Sequence, residues 1–165
     1  MAHQYLLILA CSQRKRPNAD RLPALERYDG VHFRVLRKAR CEGHWPQNLS
    51  VVILSAKYGL ISADEAIACY DQRMTPERAR ELRERIGASL DILLRGQPWH
   101  SIFVNVGGVY LSALSTSKEL PRLGERVTYA TGGIGERAAQ LKRWLQTIQD
   151  DAATKHSRPV LNAKG

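Results

Sequence analysis

A thiol, a hydroxyl and three cations follow one another in Cys11-Ser12-Gln13-Arg14-Lys15-Arg16, directly after the apolar run Tyr5-Leu6-Leu7-Ile8-Leu9-Ala10. Positive charge beside a cysteine favours the nucleophilic thiolate, which makes Cys11 a candidate nucleophile. Ser12 and Lys15 would then bind an anionic substrate. The other reading is a basic surface loop beside an inert thiol. A second cluster, Ser55-Ala56-Lys57-Tyr58-Gly59 with Tyr70-Asp71, follows the apolar run Val51-Val52-Ile53-Leu54. Here Lys57 and Asp71 join Cys11 as catalytic candidates, Asp71 as the acid or base, while Ser55, Tyr58 and Tyr70 are candidate substrate contacts. A solvated connection whose tyrosines cover the core edge is the alternative.

Two later junctions carry glycines. Asn105, Gly107, Gly108 and Tyr110 end the run Ser101-Ile102-Phe103-Val104-Asn105-Val106. The glycine pair permits close approach by a ligand, or simply a tight turn. Thr131-Gly132-Gly133-Ile134-Gly135-Glu136-Arg137 follows Val127-Thr128-Tyr129-Ala130 and opens a helical pattern. Backbone amides at such a turn suit a phosphate. The motif lacks the Gly-Lys-Ser/Thr of a Walker loop and the spacing of a dinucleotide fingerprint, so no cofactor is expected.

These clusters need elements to position them. The four apolar runs read as strands buried on both faces, the hallmark of parallel sheets. Between them, Val31 to Cys41 forms a helix with Phe33 and Leu36 on one face and Arg34, Arg37, Lys38 and Arg40 on the other. That basic face is either solvated or in contact with phosphates. Thr75-Pro76-Glu77 is a helix start, and Ala79, Leu82, Ile86, Leu90 and Leu93 continue it to Arg95-Gly96. Its arginines alternate with Glu77, Glu81 and Glu84, which predicts local ion pairing. A last helix runs to about Asp150, buried through Ala138, Leu141 and Ile148.

Strand, loop and helix thus recur, which predicts a single-domain α/β fold: a mostly parallel sheet of four or more strands flanked by helices, over residues 1–150. Residues 151–165 are expected to form a flexible tail. Right-handed crossovers bring every strand's carboxyl end to one edge, so the polar clusters should share one site there.

The chain has 165 residues, a formal net charge of +9 and only three cysteines. The charge favours an anionic partner, nucleic acid or nucleotide. Cys11, Cys41 and Cys69 are widely spaced and form no paired metal motif, which suggests reduced thiols in a cytoplasmic protein and no metal. The amino-terminal apolar run is too short for a signal peptide, and no stretch is long enough to cross a bilayer.

Cys11-Ser12 with Lys15, Ser55-Ala56-Lys57-Tyr58-Gly59-Leu60 followed by Tyr70-Asp71, and the closing glycine turn resemble the YaaA-like superfamily over about Leu6 to Leu145. The resemblance implies a nucleic-acid partner and protection against oxidative stress. More distantly, Cys11-Ser12 with Lys15 is similar to the core of archaeosine synthase, which implies chemistry on a base.

Together these features predict an enzyme acting on a nucleobase in nucleic acid or a nucleotide, by base modification or N-glycosidic cleavage. Tyr28, Tyr58, Tyr70 or Tyr110 would border the base, and Asp71 and Asn105 would bond its edge. Lys15, Lys57, Arg137 and the amides from Gly132 to Gly135 would hold phosphate. The alternatives are a non-catalytic DNA-binding protein and a module for nucleotides or small anions.

Overall fold

The computed structural model describes residues 2–156. Four apolar runs become the parallel strands β1 (Gln4–Ala10), β3 (Leu49–Ser55), β6 (Trp99–Asn105) and β7 (Val127–Tyr129). β1 lies between β3 and β6, and β7 extends the sheet beyond β6. A fifth strand, β4 (Gly59–Ser62), runs antiparallel to β3, giving the order β4-β3-β1-β6-β7. The result is one α/β domain with a mostly parallel sheet.

Alternate strand residues feed two cores, because successive side chains point to opposite faces. Leu7, Leu9 and Ile53 pack under α2 (Val31–Cys41) and α5 (Ile134–His156) with Phe33, Leu36 and Leu141. Leu6, Ile8 and Leu54 pack under α3 (Pro76–Arg95) with Leu82, Ile86 and Leu90. Each such side chain contributes about 1.5–3 kcal/mol by leaving water.

The chain leaves β1 towards β3, then crosses back to β6 on the other side of β1. The connections therefore diverge between the carboxyl ends of β1 and β6, where open α/β sheets leave a crevice. Cys11 follows one of these ends, and Asn105 closes the other.

Thr75 caps α3 as its position predicts, its Oγ1 accepting a hydrogen bond from the Arg78 amide at 3.1 Å. Thr75→Ala should destabilise the protein by about 1 kcal/mol, read as a lower denaturant midpoint at constant slope. Arg78 and Arg80 of α3 pair at i,i+3 with Glu81 and Glu77. Arg78 has a second task, donating to the carbonyls of Ala56 (2.7 Å) and Lys57 (3.2 Å).

The stretch after Leu54 differs from the expected loop. Ala56-Lys57-Tyr58 is a tight turn that returns the chain as β4, with Gly59 at φ 78° and the Arg85 guanidinium packed against it. Another difference lies between β1 and α2, where the turn-rich segment contains β2 (Leu22–Pro23), paired with β5 (Ala66–Ile67), and the short helix α1 (Ala24–Arg27). Its centre is Arg27, fully buried, which donates to the carbonyls of Arg16 (2.6 Å), Asn18 (2.9 Å), Asp20 and Ile67 (3.3 Å).

The last helix runs past its expected end near Asp150. α5 continues through His156, helped by alanines at 152 and 153, while Thr154 Oγ1 is accommodated by donating to the Asp150 carbonyl at 2.9 Å. Residues 157–165, the rest of the expected tail, lie outside the described residues. No helix among the described residues is long and apolar enough to cross a membrane.

Candidate functional site

The first loop is built before any ligand arrives. The Cys11 amide bonds the Leu54 carbonyl at 2.9 Å, extending the β1–β3 ladder by one residue. Ser12 Oγ donates to the Arg14 carbonyl at 2.6 Å and accepts the Gly30 amide at 3.2 Å. Its hydroxyl thus ties the loop to the start of α2. A Cβ at Gly30 would stand 2.8 Å from Ser12 Cβ, so this contact needs glycine.

Asp29 anchors the same corner. It takes Arg37 at 2.6 Å, Arg34 at 3.1 Å and Arg14 at 3.4 Å, which removes Arg34 and Arg37 from the free basic face expected of α2. The hydrogen bond from Arg34 comes first; burial opposes it, while the charge of Arg34 and the contacts of Arg37 add to it. The carboxyl is lowered to about 2. Because the folded value lies below the unfolded one, this stabilisation is complete above about pH 4 and is lost as pH falls towards 2. Asp29→Asn should flatten that part of the stability curve and lower stability at pH 7 by about 1–3 kcal/mol, measured by denaturation at stepped pH.

A cavity of about 260 Å³ opens at the crevice between β1 and β6. Cys11, Ser12, Asn105 and Gly107 form one side of its lining, with Tyr110 from α4 (Gly108–Ala113). His32 and Phe33 of α2 and Ile134 and Arg137 of α5 form the other. Cys11 Sγ lies 3.2 Å from Tyr110 Oη. Burial, with Cys11 alongside, pushes the Tyr110 phenol up, so it stays protonated and can donate to sulfur.

Asn105 is 1% exposed, and neither its Oδ1 nor its Nδ2 has a protein partner among the described residues. Arg137 adds a buried Nε without a partner, and its guanidinium lies against Gly107. Buried polar atoms are nearly always paired, and orphaned ones cost about 1–3 kcal/mol each. Two side chains with unpaired buried atoms thus line one cavity, where a ligand or an ordered water would pair them. His32 carries a fourth buried unpaired atom, Nε2. Burial, followed by the Arg137 charge, holds its imidazole below the ordinary value against a backbone contact at Ile134, which keeps it neutral at pH 7.

Beyond Cys11, on the β3 side, stands a hydroxyl cluster. Tyr70 Oη lies 2.6 Å from Tyr28 Oη and 2.9 Å from Ser55 Oγ. Ser55 Oγ also accepts the amides of Lys57 (3.2 Å) and Tyr58 (3.0 Å), so it holds the hairpin turn as well as the ring. Tyr58 meets Tyr70 edge to face at 5.5 Å between centroids. Lys15 and Lys57 lie over these rings.

Several sequence-predicted contacts take other places. Tyr28 is fully buried against Phe33, so it supports Tyr70 and offers no face to a base. Asp71 is exposed, has no hydrogen bond or ion pair among the described residues, and does not line the cavity. Gly108, Gly132, Gly133 and Gly135 are exposed and do not line the cavity. Gly132 serves the turn, with φ 85° and Glu136 packed on it, while Gln140 takes both the amide and the carbonyl of Thr131. From that motif Ile134 and Arg137 reach the cavity, since i,i+3 spacing sets them on one helix face.

His32 is the site residue that sequence reasoning missed. It sits inside a basic helical run, and only its place in the first turn of α2, at the carboxyl edge of the sheet, could have flagged it. Among the described residues no carboxylate lines the cavity. What lies there is a thiol, a phenol, a neutral imidazole, a guanidinium and a free carboxamide.

No curated protein matches this chain. The crystal structure of AF0587, a protein of unknown function, is similar in fold, with a TM-score of 0.51 at 16% identity. The match covers 87% of this chain and 45% of that one, so the chain spans less than half of its neighbour's length. A family model matches residues 6–145, from β1 to the middle of α5, and on that extent the chain belongs to the family of unknown function DUF6884.

Proposed function

We propose that the protein is a nucleobase-directed enzyme whose cavity between β1 and β6 takes the base of a nucleotide or nucleic acid. The observation that carries this reading is the orphaned carboxamide of Asn105. A carboxamide presents one donor and one acceptor side by side, the complement of a base edge such as adenine N6 and N7. The cavity, about 260 Å³, is below the ~300–1,000 Å³ of sites for drug-sized ligands and suits one planar ring system.

Cys11 is the group on this cavity suited to nucleophilic chemistry. In N-glycosidic cleavage its thiol proton would pass to neutral His32 and sulfur would attack the sugar C1′. The C–N bonding pair would leave with the base, which takes the proton back from His32. Water would then displace sulfur from C1′, leaving a sugar hydroxyl and returning a proton to the thiolate. Base modification through the same thiol is the other reaction class the groups allow.

The test is titration with free bases and nucleosides, with chromatography for released or altered base. Cys11→Ala should lose turnover and still bind, while Asn105→Ala should lose both. Failure of every base and nucleoside to bind at millimolar concentration would remove the reading.

A second reading, nucleic-acid binding without turnover, is favoured by a groove of about 420 Å³ between α2 and α5. Lys142 lines it together with Lys38, which pairs with Glu42 of the same groove, and Arg34, which Asp29 holds; Val31 is common to the groove and the cavity. Salt-steep affinity for oligonucleotides, with full binding by Cys11→Ala and no product, would select it.

A further inference from the structure

Lys15 Nζ lies 4.4 Å from the centre of the Tyr70 ring, and Lys57 Nζ lies 5.8 Å from the same centre. Both backbones are fixed in place. Lys15 forms a β-bridge with Tyr28, and Lys57 is held through its amide by Ser55 and through its carbonyl by Arg78. The ring between them is anchored at its hydroxyl by Tyr28 and Ser55.

Two like charges are therefore directed at one rigid ring, and nothing in the described residues neutralises them. Neither ammonium forms an ion pair, whereas the neighbouring Arg14, Arg16 and Arg78 all do. Lys15 donates instead to the Gln13 carbonyl at 3.3 Å. Burial pushes the Tyr28 and Tyr70 phenols up, so neither supplies a negative charge. Lys57 is exposed and Lys15 half-buried, so both ammoniums are open to an anion arriving from solvent.

We infer that Lys15 and Lys57 form a phosphate subsite on the β3 side of Cys11, holding the phosphate of the ligand whose base occupies the Asn105 cavity. The inference rests on the nucleobase reading for the rest of that ligand. Strand order supports the division: Lys57 follows β3 and Asn105 ends β6, with β1 and Cys11 between them. A base on one side and a phosphate on the other set the linking sugar beside the thiol. The phosphate could belong to a mononucleotide or to a strand, and the same lysines would bind either.

The test compares nucleosides, their 5′-monophosphates and trinucleotides by calorimetry on the full chain. The monophosphate or the trinucleotide should bind at least about tenfold tighter than the nucleoside, and Lys15→Gln and Lys57→Gln should each reduce that ratio about tenfold. Lys→Arg at both positions should keep it, which separates lost charge from lost folding. The tighter phosphorylated probe identifies the source, a strand showing the steeper salt dependence. Equal binding of nucleoside and phosphorylated probes, or a ratio that survives the double Lys→Gln variant, overturns the subsite and leaves the base reading standing. Should no nucleoside or nucleotide bind, the base reading fails. Inorganic phosphate then decides alone: a saturable ³¹P shift lost in the double variant sustains the subsite, and its absence overturns it.

Discussion

Asn105→Leu is expected to make the protein more stable and blind to its ligand. In the free protein the Asn105 carboxamide is buried with both polar atoms unpaired, a cost that an apolar side chain of similar volume would not carry. Stability should rise by about 1–3 kcal/mol, which is about 2–10 °C in Tm for a chain of this size. Affinity for the base should fall by a factor of about 100 or more, since the site loses a donor and an acceptor together. Thermal melts and calorimetry with nucleosides read the two effects on the same sample. A stabilised variant that loses ligand is the pattern of a site built for function at the expense of the fold. A destabilised variant would show that Asn105 is satisfied by water and serves the core, and the case for an absent ligand would weaken accordingly.

Arg27→Met should have the largest effect on stability, a loss of about 3–5 kcal/mol. The guanidinium is fully buried and binds carbonyls of Arg16, Asn18, Asp20 and Ile67, with no carboxylate partner among the described residues. Methionine fills the space but leaves those oxygens buried and unpaired. Domains of this kind hold about 5–15 kcal/mol in total, so the variant should unfold at much lower denaturant. Hydrogen exchange over residues 16–28 should rise first. Lys15 precedes one of these carbonyls, so any preference for a phosphorylated ligand should fall as well. A loss under about 1 kcal/mol would mean that solvent reaches the carbonyls and that the loop is held by other contacts.

Much of the scaffold was legible from local pattern. β-branched and leucine-rich runs marked β1, β3, β6 and β7, and α2 has the bounds its periodicity predicts. The Thr75-Pro76-Glu77 start of α3 was readable because capping depends on neighbours along the chain. The hairpin to β4 was not, since Gly59–Ser62 is too short for alternation to register and its pairing with β3 is settled by Ile61 entering the core. Arg27 was hidden for a similar reason. In Ala-Leu-Glu-Arg it reads as an exposed helix residue, and its burial depends on three carbonyls of the 16–20 loop and one of β5.

At the site, types and positions were visible for Cys11, Asn105, Tyr110 and Arg137, because each follows a strand and parallel crossovers send strand ends to one edge. Which of these groups go unsatisfied was not visible. Asp71 and the glycines near Arg137 carry equally suggestive chemistry, yet they face solvent. Residue order alone sufficed for the strands, the helices and the edge at which they meet, since those follow from short-range periodicity and the handedness of crossovers. The pairing of every buried donor and acceptor was settled by three-dimensional packing, because it depends on segments far apart in the chain. Among the described residues the Asn105 carboxamide has no partner because neither β1, α2 nor α5 brings one to it.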